Sequence, residues 1–218
     1  MSSLVIRKAL PTDRDFLIKA ILEADKSNTA ISSYASLLNM QEPDLKKLFE
    51  DIFEEELEGC EFGHENFAVI TEGDDYAATV ASWIEGAGSL PSWQIKSTAL
   101  YCCLPKPHFE RLKQLLDNFS TINIERTIGA LQIESVYVEN SFRGRGLFKE
   151  LLNFHIQSAK DAGFEFDTIE LLTYNSNHIA EAVYTKAGFV KVKSSTSDHR
   201  EILHYYPGSG MNLWQKSI

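Results

Sequence analysis

Two short stretches of this 218-residue chain hold residue types and spacings that could do chemistry, both in its C-terminal half. The first is Arg143-Gly144-Arg145-Gly146, inside the run VENSFRGRGLFKELL. Gly144 and Gly146 let backbone N–H groups approach an anion with no Cβ in the way. A helix beginning near Gly146 would aim its unpaired N–H groups, including those of Leu147 and Phe148, and its positive dipole end at the same point. Arg143 and Arg145 add charge-assisted donors. These are the requirements of a pyrophosphate, although a plain strand–turn–helix with exposed arginines reads the same way. The loop is not GxxxxGK(S/T), and Phe148 and Lys149 after Gly146 exclude the dinucleotide GxGxxG.

The second stretch is Asn177-x-x-Ala180-x-x-x-Tyr184-x-x-x-Gly188-Phe189. Asn177, Ala180 and Tyr184 stand three and four apart, so they share one helix face. Gly188 can end that helix and Phe189 re-enter the core; a plain packing helix has the same pattern. Glu134 stands out as a carboxylate inside an apolar strand, costly unless solvated or paired. Alternation puts Gln132, Glu134, Val136 and Val138 on one strand face, and Tyr137 on the other as a packing residue.

These residues need a scaffold. Residues 4–9 read as a strand, and Pro11 with Asp13 opens a helix running to about residue 26, with Phe16, Leu17, Ala20, Ile21 and Ala24 on its buried face. A second helix spans about 43–57, and strands at 67–71 and 77–84 flank the polar turn Glu72-Gly73-Asp74-Asp75. From 86 to 129 the pattern changes. Glycines and prolines punctuate it, and only 108–119 reads as a helix. This segment is read as an insertion between the third and fourth strands, too short for a core of its own. Then follow a strand at 130–138, the glycine–arginine loop, a helix over about 146–162 and a strand at 167–173. A helix at 178–187 and strands at 189–192 and 211–215 complete the order.

The net charge is −10, which argues against a generic nucleic-acid binder and permits a cationic partner without requiring one. The 44% apolar and 24% charged fractions are those of an ordinary globular protein. No apolar stretch approaches the ~20 residues of a membrane span. The first residues lack a secretory h-region. Cys60, Cys102 and Cys103 have neither disulfide nor zinc spacing and read as reduced thiols, so a cytoplasmic location is expected. His64, His155 and His178 are isolated and read as non-catalytic. Trp83 and Trp93 either line an acceptor pocket or pack.

Residues 131–192 resemble the GNAT superfamily of acyl-CoA-dependent N-acetyltransferases. The segment from Arg143 is similar to the Q/R-x-x-G-x-G/A signature, departing at its last position, where Phe148 replaces a small residue. The segment from Asn177 to Phe189 matches the N-x-x-A-x-x-x-Y-x-x-x-G-F block at every marked position. The resemblance implies an α/β (α+β) fold: a mixed, mostly antiparallel sheet flanked by helices, with splayed fourth and fifth strands and a pantetheine arm in the gap. It implies one domain over 1–218, interrupted by the helical insertion at about 86–129.

The implied reaction is direct attack of a neutral amine on acetyl-CoA, with no metal. Tyr184 would take the general-acid position. Glu134 is the favoured base, unless it faces solvent or pairs with an arginine. Backbone groups of Val138 would meet the pantetheine, and those of Arg143, Gly144, Arg145, Gly146, Leu147 and Phe148 the pyrophosphate. Asn177 would bond the pantetheine arm or cap its helix. The acceptor would be a small-molecule or peptide amine, with no nucleic-acid or membrane partner; homodimers are common among relatives. The alternative is an acyl-CoA-binding module without turnover.

Overall fold

A computed structural model describes residues 3–218 of the protein. Strands β1 (Leu4–Lys8), β2 (Phe67–Glu72) and β3 (Asp75–Ile84) form an antiparallel set. β4 (Leu131–Val138) adds antiparallel to β3. Phe67 to Ile70 and Ala77 to Ala81 are buried at consecutive positions, as strands covered on both faces must be. β5 (Thr168–Tyr174) follows β4 in parallel, and β7 (Met211–Ser217) and β6 (Val190–Ser194) complete the order β1-β2-β3-β4-β5-β7-β6. The sheet is thus mixed and mostly antiparallel.

One face carries α1 (Arg14–Lys26), α2 (Ser33–Leu38), α3 (Glu42–Phe53), α4 (Ser92–Cys103) and α5 (Lys106–Asn118), whose apolar residues share a single cluster. The other carries α6 (Leu147–Asp161) and α7 (His178–Lys186), packed on β2 to β5 through Leu147, Phe148, Leu151, Leu152 and Tyr184. The 86–129 segment holds two helices, not one. Leu100 and Leu104 from its first half join Leu112, Phe119 and Ile122 in the cluster of α1 to α3.

Two features of β4 position the site. It pairs with β5 only at Leu131, Gln132 and Ile133, after which the two strands separate. Just beyond, at Ser135, φ is +50° and the register against β3 shifts between Thr79 and Ala81, so β4 bulges. The extra residue reverses the alternation. Leu131 and Ile133 face α6 before the bulge, whereas Val136 and Val138 do so after it. Strict alternation across residues 132–138 is therefore corrected. Val136 and Val138 leave the Glu134 face, and Tyr137 joins it, packing edge-on to Phe16 of α1 at 6.1 Å.

Past the end of β5, helices on opposite faces of the sheet are tied to each other. Asn177 caps α7, its Oδ1 accepting from the Ala180 N–H (3.1 Å) and from Asn28 Nδ2 (3.0 Å). Its Nδ2 donates to Ser27 Oγ (2.7 Å) at the end of α1. Of the two roles the sequence allows Asn177, the cap is the one observed.

Candidate active site

The anion cradle follows from local backbone geometry. Gly144 and Gly146 both sit at φ +79°, a region that L side chains rarely adopt, and a Cβ on either would meet open space. Gly146 is the N-cap of α6 and supplies no side chain to its first turn. Among the described residues, no N–H from Gly144 through Phe148 donates to a partner in the chain; the next, Lys149, bonds back to the Gly146 carbonyl (3.0 Å). Five consecutive donors at the positive end of a fifteen-residue helix form a strong anion site. Arg145 lies over the Phe142 ring at 4.7 Å and pairs with Glu72 at 3.4 Å. Both arginines are exposed.

Phe148 departs from the signature without obstructing it. Its ring turns inward, 5.2 Å from the Tyr184 ring, while its N–H stays among the five free donors. Val138 lies next to this cradle. The Glu139 N–H donates to the Ala77 carbonyl (2.9 Å), so Val138, one step back, turns its own N–H and C=O away from β3 and toward the β4–β5 gap. Arg143 Nε donates to that carbonyl (3.2 Å), which leaves the N–H facing the gap.

Tyr184 stands deeper, held by Phe148 and Phe189, with no hydrogen bond from its hydroxyl to the chain among the described residues. Burial, and secondarily the Glu134 carboxylate, push its phenol above the usual value, so it holds its proton at neutral pH.

Glu134 is not a free carboxylate. Its Oε2 pairs with Arg126, whose other nitrogen donates to Gln132 Oε1 (2.6 Å). The guanidinium lies 5.3 Å over the buried Trp83 ring. Gln132 Nε2 in turn donates to Glu170 (3.0 Å), which also accepts from the Thr127 N–H (2.9 Å), Thr127 Oγ1 (2.5 Å) and Gln215 (2.8 Å). Burial raises the Glu170 carboxyl, but these bonds more than offset it and leave it below the usual range. The second Glu134 oxygen makes no hydrogen bond within the chain and is not enclosed.

Sequence reasoning missed Arg126 and Thr127, which lie in the irregular tail of the insertion with no periodicity to expose them. It also missed the contact of Lys96 with Glu61 (2.9 Å) beside the Tyr34 hydroxyl. His155 is a core histidine: Nε2 faces the Val80 carbonyl (2.9 Å) and Nδ1 the Ser82 hydroxyl (2.7 Å). Trp83 packs and binds Glu85 (2.8 Å), whereas Trp93 is 66% exposed.

The site can therefore hold a polyanion by backbone donors. Beside it β4 and β5 separate, with the Tyr184 phenol on the α6–α7 face and the Glu134 carboxylate on the other. The family model described as "Acetyltransferase (GNAT) family" matches residues 34–189. Solved structures agree in fold. An N-acetyltransferase from Staphylococcus aureus Mu50 is 15% identical, covering 97% of this chain and 100% of its own, with TM-score 0.65. GNAT acetyltransferases from Streptococcus agalactiae 2603 (16% identity, 99% and 95% coverage, TM-score 0.52) and Streptococcus pneumoniae (16%, 99% and 99%, TM-score 0.51) are also similar. No curated protein matches. On the extent of the family match, the chain belongs to the GNAT family of acetyltransferases.

Proposed function

We propose that the protein is an N-acetyltransferase that moves an acetyl group from acetyl-CoA to a primary amine by direct attack. The observation that carries this reading is the run of five unpaired N–H groups, 144–148, opening α6 beside the separated ends of β4 and β5. These residues fit a coenzyme A pyrophosphate, since both glycines leave the approach free of any Cβ. Val138 offers its N–H to an amide of the pantetheine arm, and Arg143 and Arg145 supply positive charge at the mouth. Acetyl-CoA supplies an activated thioester carbonyl and a thiol leaving group.

The remaining chemistry belongs to the chain. The unbonded oxygen of Glu134 accepts a proton from the incoming ammonium, directly or through a water, which frees the nitrogen lone pair for attack. Arg126 fixes the other oxygen and so orients the carboxylate. Tyr184 keeps its proton at neutral pH and gives it to the sulfur as the carbon–sulfur bond breaks; the proton that the attached nitrogen sheds as the amide forms passes to solvent, from which the phenolate is reprotonated. The apolar packing of Phe148 and Phe189 around that phenol excludes competing donors.

One observation favours a second reading, an acyl-CoA-binding module without turnover: the ion pair between Arg126 and Glu134 occupies half of the proposed base. Free-thiol release from acetyl-CoA across a panel of primary amines separates the two. Turnover by the wild type well above that of Tyr184→Phe supports the enzyme. Tight binding of acetyl-CoA with no amine exceeding the variant would leave the module.

A further inference from the structure

Helix α6 lies on a smooth floor. Its inward residues Leu147, Phe148, Leu151 and Leu152 pack on strands whose side chains there include the small Ala68 and Ala78. Apolar contact is non-directional, and a floor short of large side chains offers few ridges to lock a helix along its own axis. The cradle, however, works at one axial setting. Its five N–H groups belong to α6 and the loop before it, whereas the Val138 N–H belongs to β4. A ligand that uses both needs the helix start held at a fixed distance from the strand end.

One residue supplies the directional contact. His155 is 6% exposed and stands about 12 Å along the helix from Leu147. Its Nε2 meets the Val80 carbonyl at 2.9 Å, and its Nδ1 meets the Ser82 hydroxyl at 2.7 Å. A carbonyl can only accept, so Nε2 carries the proton and Nδ1 accepts from the hydroxyl. Both ring nitrogens are thus used, on two residues of one strand. Among the described residues, no other side chain of α6 hydrogen-bonds the sheet. Val80 is also the residue of β3 that the bulge skips. The register passes from Thr79–Tyr137 to Ala81–Glu134, so Ser135 and Val136 together oppose it. The imidazole therefore joins α6 to β3 across from the point where β4 changes phase, just before Val138.

We propose that His155 is a positioning residue for coenzyme binding. It fixes α6 along its axis against β3, and so sets the cradle at 144–148 and the Val138 N–H at the separation that one coenzyme A spans. It touches neither the coenzyme nor the reacting atoms. A fully satisfied buried polar contact specifies one arrangement where apolar packing alone tolerates several. This inference rests on the acetyl-CoA reading above and adds a residue on which that same site depends.

The test compares two probes by calorimetric titration. Coenzyme A reaches both the cradle and Val138, whereas adenosine diphosphate carries a pyrophosphate without the pantetheine arm. His155→Leu fills the space but makes no hydrogen bond. It is expected to weaken coenzyme A about tenfold, equivalent to about 1.4 kcal/mol, and adenosine diphosphate by less than about twofold. His155→Gln, whose amide can donate to Val80 and accept from Ser82, should bind coenzyme A within about threefold of wild type. Ser82→Ala removes only the Nδ1 partner and serves where His155→Leu does not fold; it should weaken coenzyme A selectively, by about threefold. Equal losses for the two probes, no loss for coenzyme A, or His155→Gln no better than His155→Leu overturns the positioning role. A selective loss while no amine is acetylated by the wild type supports the positioning role and overturns the acetyl-transfer reading. Coenzyme A bound by the wild type no better than adenosine diphosphate overturns both.

Discussion

The two faces of the sheet carry their polar groups in different ways. On the α6–α7 face the core is apolar, His155 is neutral and fully bonded, and the unpaired polar groups are backbone N–H donors at one helix end. On the α1–α5 face charged side chains are drawn into the interior: Glu61, Lys96, Arg126 and Asp25 stand among aromatic rings. The first arrangement needs only glycines and a helix start, so it leaves a short, regular trace in the sequence. The second depends on side chains far apart in the sequence meeting in space and leaves none.

Substitutions can break this contrast, and the largest expected effect is in the packing of the charged face. Trp83→Ala removes the buried ring beneath Arg126 and should cost about 3–5 kcal/mol in denaturant unfolding. A loss under 1 kcal/mol would mean that the ring does not hold the Arg126–Glu134 pair. On the apolar face, burial lowers the His155 pKa from 6.5 to about 4. The folded state then resists protonation while the unfolded chain accepts it. The stabilisation is full above pH 6.5 and disappears as pH falls through 4. At about 1.36 kcal/mol per unit this is roughly 3 kcal/mol. Denaturant midpoints measured across that window should fall more steeply for wild type than for His155→Gln, and equal slopes would refute the assignment.

Smaller effects sharpen the catalytic side of the contrast. Tyr184→Phe should lower kcat about 100-fold, or about 2.7 kcal/mol, while coenzyme A affinity changes little. A fall in affinity alone would make Tyr184 a packing residue. Gly146→Val forces a branched side chain into left-handed backbone at about 1–2 kcal/mol, so calorimetric affinity for coenzyme A should drop about tenfold. An unchanged affinity would detach the cradle from the coenzyme. Trp93→Ala removes an exposed ring and should shift stability by less than about 0.5 kcal/mol. A larger loss would place Trp93 with Trp83.

What the sequence made legible follows the same division. The strand–loop–helix around Arg143 and the helix of Tyr184 lie where their spacing puts them, because glycine conformation and helix periodicity are local properties. Helix α4 escaped notice because SWQIKSTALYCC has no strong apolar stripe and buries only Ser92, Ala99 and Leu100. α2 is only six residues long, stopped at once by Asn39 in left-handed conformation. Tyr137 packs as expected, but on the opposite face, because nothing about a serine at position 135 announces a positive φ, and strand alternation is trustworthy only without a bulge. Arg126 was invisible for a different reason. It is drawn to Glu134 by burial and charge, and both arise only after the insertion has packed.

The bulge at Ser135 amounts to a half-period phase slip written into one strand. Upstream of it, even-numbered residues address the α1–α5 face; downstream they address α6. Deleting a single residue there would leave composition and hydrophobicity almost untouched, yet it would swap the faces of everything beyond. Tyr137 would turn from α1, and the amide now facing the gap at Val138 would return to β3. The strand thus works as a gear with one tooth added. The spacing of carboxylate and amide depends on the count of residues between them as much as on their identity, so a length change in β4 should be tolerated far less than a substitution.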